Sequence, residues 1–276
     1  MASASVSGFI PETLQRPAPN DNDYLAKPPS TCCLSGTLHT GTPRGAHETI
    51  ASLDTYIVKP PSSSENGHVL LYFPDVWGFF ANGFLVMDAF ADAGYLVLGP
   101  DYFRGDPVWK HRTDGVSEPG FDYEEWKRVN MEFAEGAVPK WVDEVRERFG
   151  KGKKFACVGY CFGAPFVCNE LSDAGICDAG AFAHPAFLKE SHFRCLRKPL
   201  FLSCSQIDHT FGTEDRNRAV GMLTEDGREF QVQLFAKVKH GFALRANLEN
   251  PYERYVKEQS LKAIVEYLDF WLTQKL

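Results

Sequence analysis

The chain has 276 residues, of which 44% are hydrophobic and 24% charged, as in an ordinary globular protein. Its formal net charge of −7 disfavours a nucleic-acid partner, because binding to phosphates needs a clustered basic surface. The sequence has no run of about 20 apolar residues, so we expect no membrane segment. Residues 1–8 lack the basic start and apolar run of a signal peptide, and we therefore expect a cytoplasmic protein.

The first thirty residues are rich in Pro, Ser and Asn and predict an N-terminal arm, residues 1–30, ahead of one domain over residues 31–276. From residue 53 short apolar runs alternate with longer amphipathic stretches, which predicts an α/β fold with a mostly parallel sheet covered by helices on both faces. The predicted strands are Leu53–Val58, Val69–Phe73, Tyr95–Gly99, Lys154–Gly159, Ala179–Ala183, Pro199–Ser203 and Glu229–Phe235. The predicted helices are Gly83–Ala93, Glu124–Phe149 with a candidate break near Gly136, Gly163–Ala174, Glu214–Leu223 and Tyr252–Leu272.

Cys161 lies between a predicted strand and a predicted helix, in the sequence Gly159-Tyr160-Cys161-Phe162-Gly163. This spacing is typical of a nucleophile elbow, because the sharp turn leaves no room for a side chain two positions before or after the nucleophile. The N-terminus of the following helix favours a thiolate over a thiol. A chance match around a buried cysteine is the alternative interpretation. A phosphate-binding loop is excluded, since no Lys-Ser or Lys-Thr follows the glycines.

A cysteine nucleophile needs a base and an orienting acid, which follow an elbow of this kind in the order acid, then histidine. Asp208 lies in the loop after the predicted strand Pro199–Ser203, and His240 comes after the last predicted strand. The carboxyl ends of parallel strands meet at one edge of a sheet, so we expect Cys161, Asp208 and His240 to lie there together. His184 is the strongest rival for the base, but it precedes Asp208. The structural alternative is that Asp208 only caps a short turn.

These motifs together resemble the dienelactone hydrolase family, in particular its fungal-type branch, over nearly the whole chain from Cys32 onward. The resemblance implies an α/β-hydrolase fold and the opening of a small-molecule lactone or ester through a cysteine acyl-enzyme, without a metal or cofactor. The segments that carry it are Gly159–Gly163, His240-Gly241-Phe242-Ala243, Phe73-Pro74-Asp75-Val76-Trp77-Gly78, and Cys32-Cys33-Leu34-Ser35-Gly36 followed by His39–Gly45.

Carried over residue by residue, the resemblance makes Cys161 the nucleophile and His240 the base and later the acid. Asp208 becomes the group that fixes the imidazole tautomer. The family's oxyanion hole is formed by backbone amides, which fall here on Val76 and Phe162.

The resemblance also implies contacts with the substrate. Asp75 stands where bacterial members have a glutamate that holds the resting thiol, and its side chain is one methylene shorter. Arg104 matches one of two arginines that grip a substrate carboxylate. Leu244 occupies the place of the other, and Arg245 comes one position later. The candidate substrate contacts are Asp75, Arg104, Tyr160, His184 and Arg245.

An ester or lactone hydrolase is therefore the leading hypothesis. The alternative is a non-hydrolytic cyclase, isomerase or dehydratase that uses the same site, since fungal-type members often act in pathways with polyketide substrates. A binding protein on a decayed hydrolase fold would predict a broken triad, whereas all three members are present. The sequence is compatible with a homodimer. The long irregular segment 102–122 is interpreted either as a lid over the site or as a surface loop.

Overall fold

The computed structural model describes residues 24–30, 36–113 and 116–273. Its strands are β1 (Tyr24–Ala26), β2 (Ala46–Ile50), β3 (Leu53–Val58), β4 (Val69–Phe73), β5 (Leu96–Pro100), β6 (Arg112–Thr113), β7 (Val116–Ser117), β8 (Phe155–Tyr160), β9 (Ala179–Ala183), β10 (Leu188–Lys189), β11 (Leu200–Ile207) and β12 (Phe230–Lys239). Its α-helices are α1 (Ala81–Asp92), α2 (Tyr123–Phe149), α3 (Ala164–Glu170), α4 (Glu190–Arg194), α5 (Thr213–Glu225), α6 (Phe242–Arg245) and α7 (Pro251–Thr273).

A central sheet of eight strands has the order β12-β11-β9-β8-β4-β5-β3-β2. The strands from β12 to β5 pair in parallel, and only β3 and β2 at one side pair antiparallel. The predicted mostly parallel sheet is thus confirmed. Because the parallel strands point the same way, the loops that follow β4, β8, β9, β11 and β12 meet at one edge, which we call the carboxyl edge.

Helices cover both faces of this sheet, as two consecutive residues of β4 show. Successive side chains in a strand point to opposite faces. The ring of Phe73 lies against Trp141 of α2 and Phe166 of α3, with ring centroids 6.3 and 5.7 Å away. The hydroxyl of Tyr72 lies on the other face, where a Cβ on Gly83 of α1 would be 3.5 Å from it. The fully buried strands β4, β5, β8 and β9 lie between these two layers.

The observed boundaries differ from the predicted ones at several places. The candidate break near Gly136 does not occur: α2 is one helix of 27 residues, and the side chain of Asp122 caps its N-terminus by accepting from the amide of Glu125. α3 ends at Glu170, four residues before the predicted end. β11 and β12 extend beyond their predicted ends to Ile207 and Lys239. β2 was not predicted, because four of its five residues are exposed and give no apolar signal.

Residues 24–30, which we call the strap, lie along the carboxyl edge. Within the strap, β1 pairs antiparallel with β10. The amide of Lys27 donates to the carbonyl of Thr210 at 2.7 Å, and Lys127 Nζ donates to the carbonyl of Pro29 at 2.6 Å. The remainder of the predicted arm, residues 1–23, and the motif residues 32–35 lie outside the described residues.

No helix in the described ranges is long and apolar enough to cross a lipid bilayer.

Candidate active site

Cys161 occupies a sharp turn between β8 and α3. Its backbone φ is +48°, a left-handed conformation that a residue with a side chain adopts only when its surroundings enforce it. A Cβ on Gly159 would lie 2.6 Å from the carbonyl oxygen of Gly163, and a Cβ on Gly163 would lie 2.2 Å from that of Phe73. Both glycines are therefore required by close backbone approach, as the elbow motif predicts.

His240 and Asp208 meet at the same edge through a direct hydrogen bond. His240 Nδ1 lies 2.9 Å from Asp208 Oδ1, and the two side chains are 3% and 2% exposed. Asp208 follows β11 and His240 follows β12, and these two strands are neighbours in the sheet. The hydrogen bond selects the tautomer with the proton on Nδ1 and leaves Nε2 as the basic nitrogen.

The carboxylate of Asp208 is held by several further donors. Its Oδ1 accepts from the amides of Thr210 and Phe211, at 2.9 and 3.2 Å, and its Oδ2 accepts from Ser205 Oγ at 2.9 Å. Burial alone raises the pKa of Asp208, but the charge of His240 and the hydrogen bonds from His240 and Thr210 outweigh burial and lower it. Asp208 is therefore a carboxylate at neutral pH.

Thr210 is a residue of this network that the sequence reasoning missed. Its Oγ1 lies 2.7 Å from Asp208 Oδ1, 2.7 Å from the carbonyl of Pro185 and 3.1 Å from His240 Nδ1. An aspartate after a strand commonly accepts from the backbone amide two residues on, but no sequence pattern indicates that the Thr210 hydroxyl joins the network. Asp208 therefore caps a turn and also binds His240, because the same carboxylate oxygen accepts from the Thr210 amide and from His240 Nδ1.

His184 lies next to the elbow, directly after β9. The residue before it pairs in register with Tyr160, and the ring centroids of His184 lie 5.8 Å from Tyr160, 4.9 Å from His240 and 5.6 Å from Phe242. The side chain is fully buried, and neither ring nitrogen hydrogen-bonds to another described residue. Its backbone φ is +38°. A buried polar group without a partner lowers the stability of the fold by about 1–3 kcal/mol. Such a group needs an explanation, and this makes His184 a candidate functional residue.

Asp75 and Arg245 form a buried ion pair beside the elbow. Asp75 Oδ2 contacts Arg245 Nη1, and Asp75 Oδ1 accepts from the amide of Trp77 at 2.9 Å. The guanidinium also lies over the Trp77 ring, 5.3 Å from its centroid. The short helix α6 turns Arg245 back toward the loop after β4, which is how an arginine one position late still reaches Asp75. Two predicted substrate contacts are thus brought together, each bound to the other.

The candidate oxyanion residues are Val76, in the loop after β4, and Phe162, directly after Cys161, and both are fully buried. The amide of Val108 donates to the Val76 carbonyl at 3.0 Å, which ties segment 102–122 to this loop. Arg112 of the same segment lies 4.8 Å over the ring of Trp77. These contacts place the described part of that segment against the loop after β4.

The remaining two candidate substrate contacts differ in position. Tyr160 is buried against Tyr72 and His184, so its ring belongs to the floor of the site. Arg104 is exposed, and its guanidinium contacts α2: it lies 4.2 Å over the Phe133 ring and donates to Asn130 at 3.2 Å. The structure does not bring Arg104 into the contacts that join the other candidate residues.

One group of side chains at this edge has the composition of a metal site. Ligand atoms of Asp208, His209 and His240 all lie within 4.8 Å of one another. The His209 ring is exposed, and its centroid lies 4.8 Å from that of His240.

Comparison with known proteins finds relatives over most of the chain. A sequence profile of the dienelactone hydrolase family matches residues 53–272. Dienlactone hydrolase 1 of Gibberella moniliformis is 44% identical over 257 residues, which cover 92% of this chain and 98% of that protein. The hydrolase pyvD of Aspergillus violaceofuscus is 33% identical over 247 residues, which cover 89% of this chain and 98% of that protein.

The fold has relatives among solved structures as well. A candidate dienelactone hydrolase of Klebsiella pneumoniae superposes with a TM-score of 0.66 at 12% identity, over 82% of this chain and 98% of its own. TT1662 of Thermus thermophilus superposes with a TM-score of 0.61 at 14% identity, over 84% of this chain and 99% of its own. At such identities the likeness shows the α/β-hydrolase fold alone. Sequence match and fold agree, and the chain belongs to the dienelactone hydrolase family of ester and lactone hydrolases.

Proposed function

We propose that this enzyme cleaves a lactone or activated ester through a thioester on Cys161, with His240 as base and acid and Asp208 as the orienting carboxylate. The observation that carries the proposal is the buried hydrogen bond of 2.9 Å between His240 Nδ1 and Asp208 Oδ1, at the same sheet edge as the cysteine elbow. Chain order, strand order and the strained turn at Cys161 support one catalytic unit.

In the first half-reaction, His240 Nε2 takes the proton of the Cys161 thiol, and the sulfur attacks the substrate carbonyl carbon. The carbonyl oxygen becomes an oxyanion, which the amides of Val76 and Phe162 stabilise. The carbon–oxygen bond to the leaving group then breaks, the leaving oxygen takes the proton from His240, and a thioester remains on Cys161. Asp208 stabilises the imidazolium that exists between the two proton transfers.

In the second half-reaction, a water molecule gives a proton to His240 and its oxygen attacks the thioester carbonyl. The carbon–sulfur bond breaks, the product acid leaves, and the proton returns from His240 to the sulfur. The net change is the addition of one water across the ester bond. A thiolate is a better leaving group than an ordinary alkoxide, so the first half-reaction favours substrates whose leaving oxygen is stabilised, such as an enol or aryl oxygen.

The environment of the site supports the substrate contacts of this proposal. His184 offers a buried ring with nitrogens that no other described residue satisfies, so a substrate oxygen close to Cys161 is a suitable partner. Asp75 neutralises Arg245, and the pair lies between the loops that carry Val76 and His240. A substrate carboxylate is a competing partner for the Arg245 guanidinium. Dienelactones, the class in the names of fungal relatives, combine an enol lactone with a carboxylate.

Turnover of enol lactones and aryl esters by the Cys161→Ala variant tests the proposal, with Cys195→Ser as the matched control because Cys195 is an exposed thiol elsewhere. We expect Cys161→Ala to lose about 10⁴-fold or more in kcat and Cys195→Ser to keep wild-type activity. Intact mass of wild-type enzyme quenched during turnover should show one acyl group, located on the Cys161 peptide.

Two results would contradict the proposal. Turnover by Cys161→Ala at the wild-type rate would show that Cys161 is not the nucleophile. Reaction in heavy-oxygen water separates hydrolysis from ring isomerisation or cyclisation, since hydrolysis adds one labelled oxygen to the product and isomerisation adds none. An unlabelled product would therefore replace the hydrolase assignment of the site with the non-hydrolytic alternative.

A further inference from the structure

We propose that Asp208, His209 and His240 form an inhibitory binding site for Zn²⁺ at the base of the catalytic triad. The site would couple turnover to the availability of a divalent metal, because the ion would take two groups that catalysis needs. The inhibitory part rests on the proposed function of His240, whereas the binding part is independent of it.

The geometry of the three side chains is close to that of a zinc site. Their ligand atoms lie within 4.8 Å of one another, and the closest pair, His240 Nδ1 and Asp208 Oδ1, is 2.9 Å apart. Zinc binds imidazole nitrogen and carboxylate oxygen at about 2.0–2.2 Å, so atoms around one tetrahedral ion lie roughly 3.5 Å apart. His240 Nδ1 and Asp208 Oδ1 must separate by about 0.5 Å when the ion replaces their shared proton, and the more distant atoms must come about 1 Å closer. His209 is exposed and can make this movement by rotating its side chain.

The carboxylate of the proposed site is oriented by several donors. Ser205 Oγ and the amides of Thr210 and Phe211 donate to the Asp208 carboxylate, and such outer contacts orient metal ligands in proteins. The Thr210 hydroxyl, whose Oγ1 lies 2.7 Å from Asp208 Oδ1 and 3.1 Å from His240 Nδ1, must turn away as the ion enters. Exposed His209 provides the side from which an ion arrives, and solvent there can supply a fourth ligand. Two imidazoles with one carboxylate suit Zn²⁺, whereas Mg²⁺ and Ca²⁺ prefer oxygen ligands throughout.

Binding would stop catalysis through the proton on His240. The ion forms a bond to Nδ1, the Nδ1 proton leaves to solvent, and the hydrogen bond to Asp208 is replaced by a shared metal. A nitrogen lone pair bound to a cation withdraws electron density from the ring, so Nε2 becomes a poor base for the Cys161 thiol. No change in oxidation state is involved.

Calorimetric titration with ZnCl₂ tests the binding part without any activity measurement. The proteins compared are wild type, Cys161→Ala, His209→Gln and His47→Gln. His47 is the matched control, because it is another exposed histidine with Nδ1 beside a carboxylate, 2.9 Å from Asp54. We expect wild type, Cys161→Ala and His47→Gln to bind Zn²⁺ with similar affinity and His209→Gln to bind at least about tenfold more weakly, since it loses a direct ligand.

Three outcomes would overturn the proposal. Loss of binding in Cys161→Ala would make the thiolate the ligand, unchanged binding in His209→Gln would exclude the site, and absence of binding to wild type would end it. In the turnover assay, Zn²⁺ should inhibit wild type and His47→Gln, with recovery after EDTA, while His209→Gln keeps its basal activity and resists inhibition. Mg²⁺ should have no effect. Zinc binding that leaves wild-type turnover unchanged would overturn the inhibitory part, whether or not the thioester mechanism holds.

Discussion

At the scale of single residues, His184 combines features that a purely structural histidine rarely shows. It is fully buried, its backbone is left-handed, and its ring lies between Tyr160 and the proposed base His240. Burial lowers the pKa of His184 well below its usual value, the charge of His240 lowers it further, and Asp208 opposes them. The folded protein therefore keeps this imidazole neutral where an unfolded chain would protonate it.

This difference makes folding stability depend on pH. An unfolded histidine has a pKa of about 6.5, so below that pH the unfolded chain binds a proton that folded His184 does not accept. Stability therefore falls as the pH decreases below about 6.5. We expect His184→Phe to lack this part of the decrease. Urea unfolding of wild type and variant at pH 5, 6 and 7 measures it.

An exposed histidine provides the control for that series. His47→Gln should keep the wild-type loss of stability between pH 6.5 and 5, because the side chain of His47 is 50% exposed, whereas that of His184 is buried. If His184→Phe and His47→Gln showed the same pH slope, burial of His184 would not be the cause.

How far single residues could be predicted depends on whether their roles follow from local pattern. Local pattern was enough for the glycines at positions 159 and 163, which the structure shows to be required by close backbone approach. It was also enough for the chain order of Asp208 and His240, whose side chains meet in the structure. The partner of Arg245 is different. Arg245 and Asp75 are far apart in sequence, and only the turn of α6 brings them into contact. No spacing rule could show that these two candidate substrate contacts bind each other.

At the scale of elements, two glycines differ in the space that the structure leaves for a side chain. Gly163 has Phe73 backbone within 2.2 Å of the position of an added Cβ, whereas Gly136 in the middle of α2 has nothing within 4 Å. We expect Gly163→Ala to destabilise the fold by about 3 kcal/mol or more, because backbone atoms must move. We expect Gly136→Ala to stabilise it by about 0.5–1 kcal/mol, since alanine is the better helix former.

Chemical denaturation of both variants beside wild type measures these changes. A Gly163→Ala protein with the denaturation midpoint of wild type would show that the turn at Cys161 can admit a side chain at position 163 without loss of stability. A destabilised Gly136→Ala protein would mean that α2 is not a regular helix at that point. Loss of helix propensity cannot explain a destabilised Gly163→Ala protein, because alanine is a better helix former than glycine.

Elements were predictable where burial imposes a pattern. The central strands are apolar runs buried on both faces, and their positions follow from the sequence to within a few residues. β2 lies at the outer side of the sheet, and its exposed side chains carry no such pattern. β1 consists of three residues whose structure depends on β10, more than 160 positions later, so only the folded chain shows the pairing.

At the scale of the whole molecule, the site is closed. Cys161 is fully buried, and the side chains of His240 and Asp208 are almost fully buried. The strap contributes to the closure: its Lys27 carbonyl accepts from the amide of Phe187, and the Phe187 ring lies 5.5 Å from that of Phe162. In the proposed mechanism, a substrate would therefore reach the sulfur only after a covering segment moves.

Alkylation of cysteines measures that movement. Among the described cysteines Cys195 alone is exposed, and burial raises the pKa of Cys157, Cys168, Cys177 and Cys204, the last to about 12. With iodoacetamide and peptide mapping, we expect Cys195 to react first among the cysteines that the structure describes. Cys161 should follow at a rate that stops rising at high reagent concentration, because opening becomes limiting. Lys127→Met should accelerate the Cys161 reaction, since it releases the strap at Pro29.

Lys140→Met is the matched control for this experiment, because Lys140 is an exposed lysine on the same helix. Equal Cys161 rates in Lys127→Met and Lys140→Met would show that the strap does not limit access. A Cys161 rate that stays proportional to reagent concentration at every concentration would show that the closed form is not the dominant one in solution.

The two ends of the described chain lie at opposite edges of the sheet. Tyr24 begins the strap at the carboxyl edge, whereas the carbonyl of Leu272, near the end of α7, accepts from Lys154 just before β8 begins. Attachment of the enzyme to a surface or carrier through residues after α7 would thus turn the catalytic face outward to the medium.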